Sequence, residues 1–153
     1  MKARDLMTSD PSVVTPSDPI ARAAEIMHDL DIGLVPVVDS PSAKHLLGVI
    51  TDRDITVRCV AKKHGPTCAV KDHMTKGRLD TVRADDDAST VMSLMEREQV
   101  RRIPVVSDDN RLEGIIAQAD LAKKLGPKEP LKVEEVLERV SAPRVAASGQ
   151  PAR

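Results

Sequence analysis

The sequence predicts a mixed α/β (α+β) fold built from two β-α-β-β-α repeats related by a pseudo-twofold axis, each repeat a small sheet with two helices. Two observations predict it. First, three segments recur. Asp5-Leu6-Met7-Thr8 returns as Asp72-His73-Met74-Thr75, and Val35-Pro36-Val37-Val38 returns as Ile103-Pro104-Val105-Val106. The run from Gly48 to Ile55 returns as that from Gly114 to Leu121. The offsets are 67, 68 and 66 residues, so the elements match and only loop lengths differ. Second, within each copy the apolar period switches from helical to strand-like and back. Two copies are too few for a solenoid, and a facing pair is the economical arrangement. A chain of 153 residues suits two small, closely packed halves.

In the first repeat, Val13-Val14-Thr15 reads as a short strand entering a turn at Pro16. Asp18 is placed as a helix cap, with Pro19 at the first helical position. Ala23, Ala24, Ile26, Met27 and Leu30 give that helix its apolar face. Leu34 to Val38 is a strand whose Pro36 marks an edge or a bulge. A turn at Ser40-Pro41-Ser42 leads into a strand from Leu46 to Ile50. Thr51 caps a last helix ending near Ala61.

The second repeat follows the same order. Asp80 to Val82 is its strand, and Asp86 is the expected cap. Val91, Met92, Leu94 and Met95 lie along its helix, with Glu98 on the solvated side. Arg102 to Val106 and Leu112 to Ala117 are strands joined at Asp108-Asp109-Asn110. Gln118 to Leu125 closes the unit. Val133, Val136, Leu137 and Val140 then space out a short amphipathic helix. The expected organisation is a first repeat with its lead-in at 1–61, a linker at 62–71 and a second repeat at 72–126. Residues 127–153 form a short helix and a disordered tail.

Composition narrows the function. Lys and Arg number 23 against 24 Asp and Glu, so bulk charge predicts neither nucleic-acid nor acidic-membrane binding. Phe, Trp and Tyr are absent, which removes the stacking platforms of single-strand nucleic-acid binders. No segment approaches the ~20 apolar residues of a membrane span, and the start lacks the apolar run of a signal peptide. The expected compartment is the cytoplasm. No nucleophile elbow and no phosphate-binding P-loop is present, so an enzyme is not expected.

The paired Val-Pro-Val-Val and Ile-Pro-Val-Val strands resemble those of a stand-alone pair of cystathionine-β-synthase-type (CBS) domains, a Bateman module. So do the Gly-Val-Ile-Thr-Asp-Arg-Asp segment and the Asp-Leu-Met-Thr and Asp-His-Met-Thr motifs. The resemblance covers about residues 3–125. It implies a regulatory or sensor module that binds an adenosine-containing nucleotide (AMP, ADP or ATP) between its repeats and needs no further cofactor. It also implies a homodimer acting on an unidentified regulated protein.

By the same resemblance one cleft holds Thr51 and Asp54, with Leu79, Asp80 and Thr81 beside the base and Arg101 and Arg102 on the phosphates. Guanidinium forks suit phosphate oxygens. The matching positions of the first repeat are the uncharged Gly33 and Leu34. The second cleft is therefore expected to be weaker, with Asp120, Ser12 and Val13, and with Arg53 as its nearest cation. Without aromatic residues, the adenine is expected against Val35, Val37, Ile50, Ile103 or similar aliphatics.

Two readings of Thr51 and Asp54 stay open. At a helix start, free N–H groups favour phosphate or ribose oxygens, and Asp54 can accept from a ribose diol. Thr-x-x-Asp is equally the pattern of a capping box. Asp120 persists where Ala117 has no capping hydroxyl, which favours the ribose reading.

Cys59, His64, Cys68 and His73 supply the donor types of a tetrahedral zinc site. Their spacing lacks a C-x2-C hairpin, so no metal is expected. Cys59 is read instead as a helix cysteine, Cys68 as a loop cysteine and the histidines as surface residues. The alternatives to a nucleotide sensor are a ligand-free structural or stress-associated homodimer and a small zinc-dependent enzyme using this run.

Overall fold

A computed structural model describes residues 1–143. The expected disordered tail falls mostly outside the described residues. In the first sheet, β2 (Leu34–Val38) pairs antiparallel with β3 (Leu46–Thr51), which pairs antiparallel with β4 (Thr75–Lys76). The second sheet has β5 (Arg102–Val106), β6 (Leu112–Ala117) and β1 (Thr8–Ser9), in the order β1-β6-β5.

The third strand of each sheet comes from across the pseudo-axis. β1 belongs to the lead-in of the first repeat but pairs with β6, Thr8 opposite Ile115. β4 opens the second repeat but pairs with β3, Thr75 opposite Val49. Close backbone approach permits both pairings. At Gly48 an added Cβ would lie 2.5 Å from the Thr75 carbonyl oxygen, and at Gly114 one would lie 2.9 Å from that of Thr8.

The expected strands at Val13–Thr15 and Asp80–Val82 are reduced to single parallel bridges, Val14 to Val37 and Val82 to Val105. Val14 donates to the Pro36 carbonyl at 3.1 Å and accepts from the Val38 N–H at 2.9 Å. Pro36 thus turns its missing N–H to the outer side of β2, where no ladder bond to β3 is lost. Each proline-bearing strand also has a register shift, between Val37 and Val38 and between Val105 and Val106.

Two expected caps are corrected. α2 (Ile20–Leu30) has Pro19 at its cap position, and α4 (Ala88–Glu98) has Asp87, neither with a side-chain cap bond. Asp18 instead accepts from the Thr15 N–H and Asp86 from the Arg83 N–H, each at 2.7 Å, closing the turn before the helix. The apolar face of α2 is Ile20, Ala23, Ile26 and Met27, whereas Ala24 and Leu30 are exposed.

Thr51 does cap α3 (Asp52–Asp54), which continues as a π-helical turn over Ile55–Cys59 and a 3-10 turn over Val60–Lys62. α5 (Gln118–Lys124) closes the second repeat, and α6 (Pro130–Ser141) packs Val133, Val136 and Val140 into its core. α1 (Ala3–Leu6) buries Ala3 and Leu6 in that same core, so the lead-in is anchored to the second repeat by packing as well as by β1. Val38, Leu46, Val106 and Leu112 form a small cluster where the two hairpins meet. There Asn110 donates its side-chain amide to the Leu46 carbonyl at 2.9 Å. No helix among the described residues is long and apolar enough to cross a membrane.

Candidate functional site

A cleft of about 400 Å³ opens between the two repeats. Leu34, Val49, Leu79, Val100 and Pro104 form its apolar wall, and Thr51, Thr75, Arg78, Asp80, Arg101 and Arg102 its polar lining. Five of the seven residues expected at the main site line it: Thr51, Leu79, Asp80, Arg101 and Arg102. Thr81 is half-buried and is not part of the lining.

Asp54 sits just behind the lining, 8% exposed. Its Oδ2 accepts from the Thr51 N–H at 3.1 Å, and its own N–H donates to Thr51 Oγ1 at 3.0 Å. This is a completed capping box. The Thr75 hydroxyl reaches the same carboxylate at 3.2 Å, and Arg58 Nε lies 3.6 Å from Oδ1. Asp54 therefore anchors both cleft threonines. At Asp120 the ribose argument weakens, because its carboxylate accepts from the Ala117 N–H at 2.7 Å even without a partner hydroxyl.

The expected adenine wall is corrected. Val35, Val37, Ile50 and Ile103 are 0% exposed and belong to the cores. Side chains alternate along a strand, so the cleft receives the opposite set, Leu34, Val49 and Pro104. Two polar residues were missed. Thr75 carries a signal in the repeated Asp-x-Met-Thr motif, since its counterpart Thr8 lines the second cleft. Arg78 carries none.

The second cleft, of about 500 Å³, contains Ser12 and Asp120 as expected. Val13 instead packs against the Val38–Leu112 cluster. Arg53 does not reach this cleft; it lines a separate groove with Asp31, Asp52, Arg101 and Arg102. The cations of the second cleft are Arg102 and Lys123, facing Asp10, Asp31 and Asp120. The main cleft sets three guanidinium groups against one carboxylate, the second sets two cations against three carboxylates. The first is the one suited to an anion. Among the described residues, Arg78, Arg101 and Arg102 are in no ion pair.

Away from the clefts, donor atoms of His64, Cys68 and His73 lie within 4.8 Å of one another. The expectation of two surface histidines is corrected for His73, which is 3% exposed. Burial, and next to it the neighbouring Cys68, push the Cys59 thiol up from its ordinary pKa.

A family model described as CBS domain matches residues 3–60 and 70–127. Hypoxic response protein 1 of Mycobacterium tuberculosis is 33% identical over 123 residues, 80% of this chain and 84% of that protein. Similar solved structures include Hypoxic Response Protein I with two coordinated zinc ions, at 32% identity and a TM-score of 0.72, covering 81% of this chain and 98% of that one. CBSX2 in complex with AMP gives 27% and 0.69, covering 81% and 95%. The CBS domain pair of MJ0100 in complex with 5-methylthioadenosine and S-adenosyl-L-methionine gives 27% and 0.71, covering 84% and 98%.

Proposed function

Because the chain belongs to the CBS domain family, we propose that it is a non-enzymatic sensor that binds an adenosine nucleotide of the AMP, ADP or ATP class in the cleft between its repeats. The observation that carries this reading is the pairing, in one cleft, of an aliphatic wall with three guanidinium groups that form no ion pair among the described residues. The similar structures that hold AMP or S-adenosyl-L-methionine support the adenosine moiety.

In this reading the adenine lies between Leu34, Val49, Leu79 and Pro104, where burying the ring contributes about 2–3 kcal/mol. The ribose hydroxyls meet Thr51, Thr75 and the Oδ1 edge of Asp54, whose Oδ2 already holds the Thr51 backbone. Arg78, Arg101 and Arg102 take the phosphates through charge-assisted hydrogen bonds. Asp80 repels a long phosphate chain on its side of the cleft, so it influences how many phosphates are accepted. Binding draws β3 and β4 toward β5 and shifts the packing of the two halves. That change is passed, in a cytoplasmic homodimer, to a regulated partner protein.

Calorimetric titration with AMP, ADP, ATP and S-adenosylmethionine tests the reading. One adenosine ligand is expected to bind, and Arg102→Ala to weaken it by about 10–100-fold, the worth of a hydrogen bond to a charged group. No binding by any of the four, or equal affinity in Arg102→Ala, overturns it.

A further inference from the structure

The segment joining the repeats carries a cluster that the nucleotide cleft does not use. Donor atoms of His64, Cys68 and His73 lie within 4.8 Å of one another, and the two imidazole rings are 5.2 Å apart and tilted by 53°. His73 is 3% exposed, and its Nε2 has no hydrogen-bond partner among the described residues. A buried ring nitrogen left in this state is uncommon unless something else takes its lone pair. Cys59 is 1% exposed, and its Sγ lies 3.7 Å from the carbonyl oxygens of both His64 and Gly65. It therefore lies directly under the loop that carries the first histidine.

The backbone of this loop is already held. His64 donates to the Cys59 carbonyl at 3.0 Å, and Cys68 to that of Gly65 at 3.2 Å. The Cys68 carbonyl in turn accepts from the Ile20 N–H of α2 at 2.8 Å. His73 follows the 3-10 turn Val70–Asp72, its N–H on the Val70 carbonyl at 3.0 Å.

We propose that His64, Cys68 and His73, with Cys59 as fourth donor, form a tetrahedral zinc site that staples the inter-repeat segment to the first repeat. Two thiolates and two neutral imidazoles are a closed donor set for zinc, and they disfavour magnesium and calcium, which require oxygen ligands. Zinc–sulfur and zinc–nitrogen bonds place neighbouring donors about 3.3–3.8 Å apart. The three clustered donors thus have to close by about 1 Å, and His64, exposed on its loop, has the freedom to do so; Cys59 lies outside this cluster and reaches the ion by turning its Sγ from the His64 and Gly65 carbonyl oxygens. Each thiol releases its proton to solvent as its sulfur coordinates, the imidazoles donate lone pairs, and no redox change occurs. His73 enters through its unpartnered Nε2.

The test uses the full chain, reduced and stripped of metal, with no nucleotide present. Cobalt(II) titration is expected to give one ion per chain with the intense visible bands of tetrahedral coordination and a thiolate charge-transfer band, and zinc is expected to displace it. His64→Ala, at an exposed loop position, and Cys68→Ser are each expected to lower zinc affinity by about 100-fold or more, with the fold retained by circular dichroism. A pale octahedral cobalt spectrum, no stoichiometric binding, or unchanged affinity in His64→Ala overturns the site. Full affinity in Cys59→Ser overturns the assignment of the fourth donor. A Cys59–Cys68 disulfide in the air-exposed chain, with no metal bound after reduction, also overturns the proposal and makes the pair a redox couple.

Discussion

Replacing Gly48 by alanine tests whether the exchanged strand β4 is what completes the main cleft. Gly48 lies opposite Lys76, and its Cβ would fall 2.2 Å from Met74 Cε and 2.5 Å from the Thr75 carbonyl oxygen. The methionine tip can rotate away, but the carbonyl is backbone and β4 has to retreat by about 1 Å. Overpacking of this kind costs about 1–3 kcal/mol. At this chain length each kcal/mol moves Tm by about 2–4 °C, so the expected fall is about 2–12 °C. Thr75 moves with β4, loosening its 3.2 Å hydrogen bond to Asp54 and carrying its hydroxyl out of the cleft. A lost hydrogen bond of about 1 kcal/mol lowers nucleotide affinity about fivefold. Gly65→Ala is the control, because nothing lies within 4 Å of its added Cβ. Calorimetric melting and nucleotide titration of the two variants side by side decide the matter. An unchanged Tm in Gly48→Ala, or an equal fall in Gly65→Ala, refutes the reasoning.

The capping box makes a paired prediction. Thr51→Ala removes the acceptor of the Asp54 N–H and is expected to cost about 1 kcal/mol, while Ala117→Thr supplies the missing hydroxyl beside Asp120 and raises Tm by a few degrees. Met95 is 0% exposed in the second core, so Met95→Ala is expected to cost about 2–5 kcal/mol in urea unfolding. Acid should loosen the lead-in first. Hydrogen bonds from Lys2 to Asp87 and from Lys44 to Asp10 hold both carboxyls below their ordinary pKa. A depressed folded pKa gives stability that is present above the unfolded value and is lost as pH falls through the folded one. Amide exchange at residues 3–9 should therefore accelerate below the ordinary carboxylate range before that of β5, and uniform acceleration would count against it.

Much of this architecture was legible in the residues. Both long hairpins begin and end within a residue of expectation, because Val-Pro-Val-Val and its copy are buried, β-branched runs and their partner strands β3 and β6 alternate buried with more exposed residues. The arginine pair was legible as a break in the repeat, since Gly33 and Leu34 occupy the matching places. Other features depend on information that local pattern does not carry. Which face of a strand meets the cleft turns on parity, and Val35 with Ile50 proved to be the core set. Asp18 and Asp86 carry capping chemistry, yet their carboxylates close the preceding turn because proline or aspartate follows at the cap position. The exchange of β1 and β4 joins residues 107 positions apart, Thr8 with Ile115, or 26 apart, Val49 with Thr75, and two-residue strands leave no periodic signal. His73 looked like a surface residue because it is polar, although its motif partner Leu6 is a core position and was the better guide.

The crossed strands have a consequence for how this polypeptide can be taken apart. Cleaving it near Lys63 would leave an N-terminal fragment carrying the ribbon that the other fragment's sheet lacks, and the reverse. Neither piece is then a self-sufficient folding unit, and the two co-expressed fragments should find each other and reconstitute the whole. The same geometry lets two uncut molecules trade these ribbons and interlock when their lead-ins come loose.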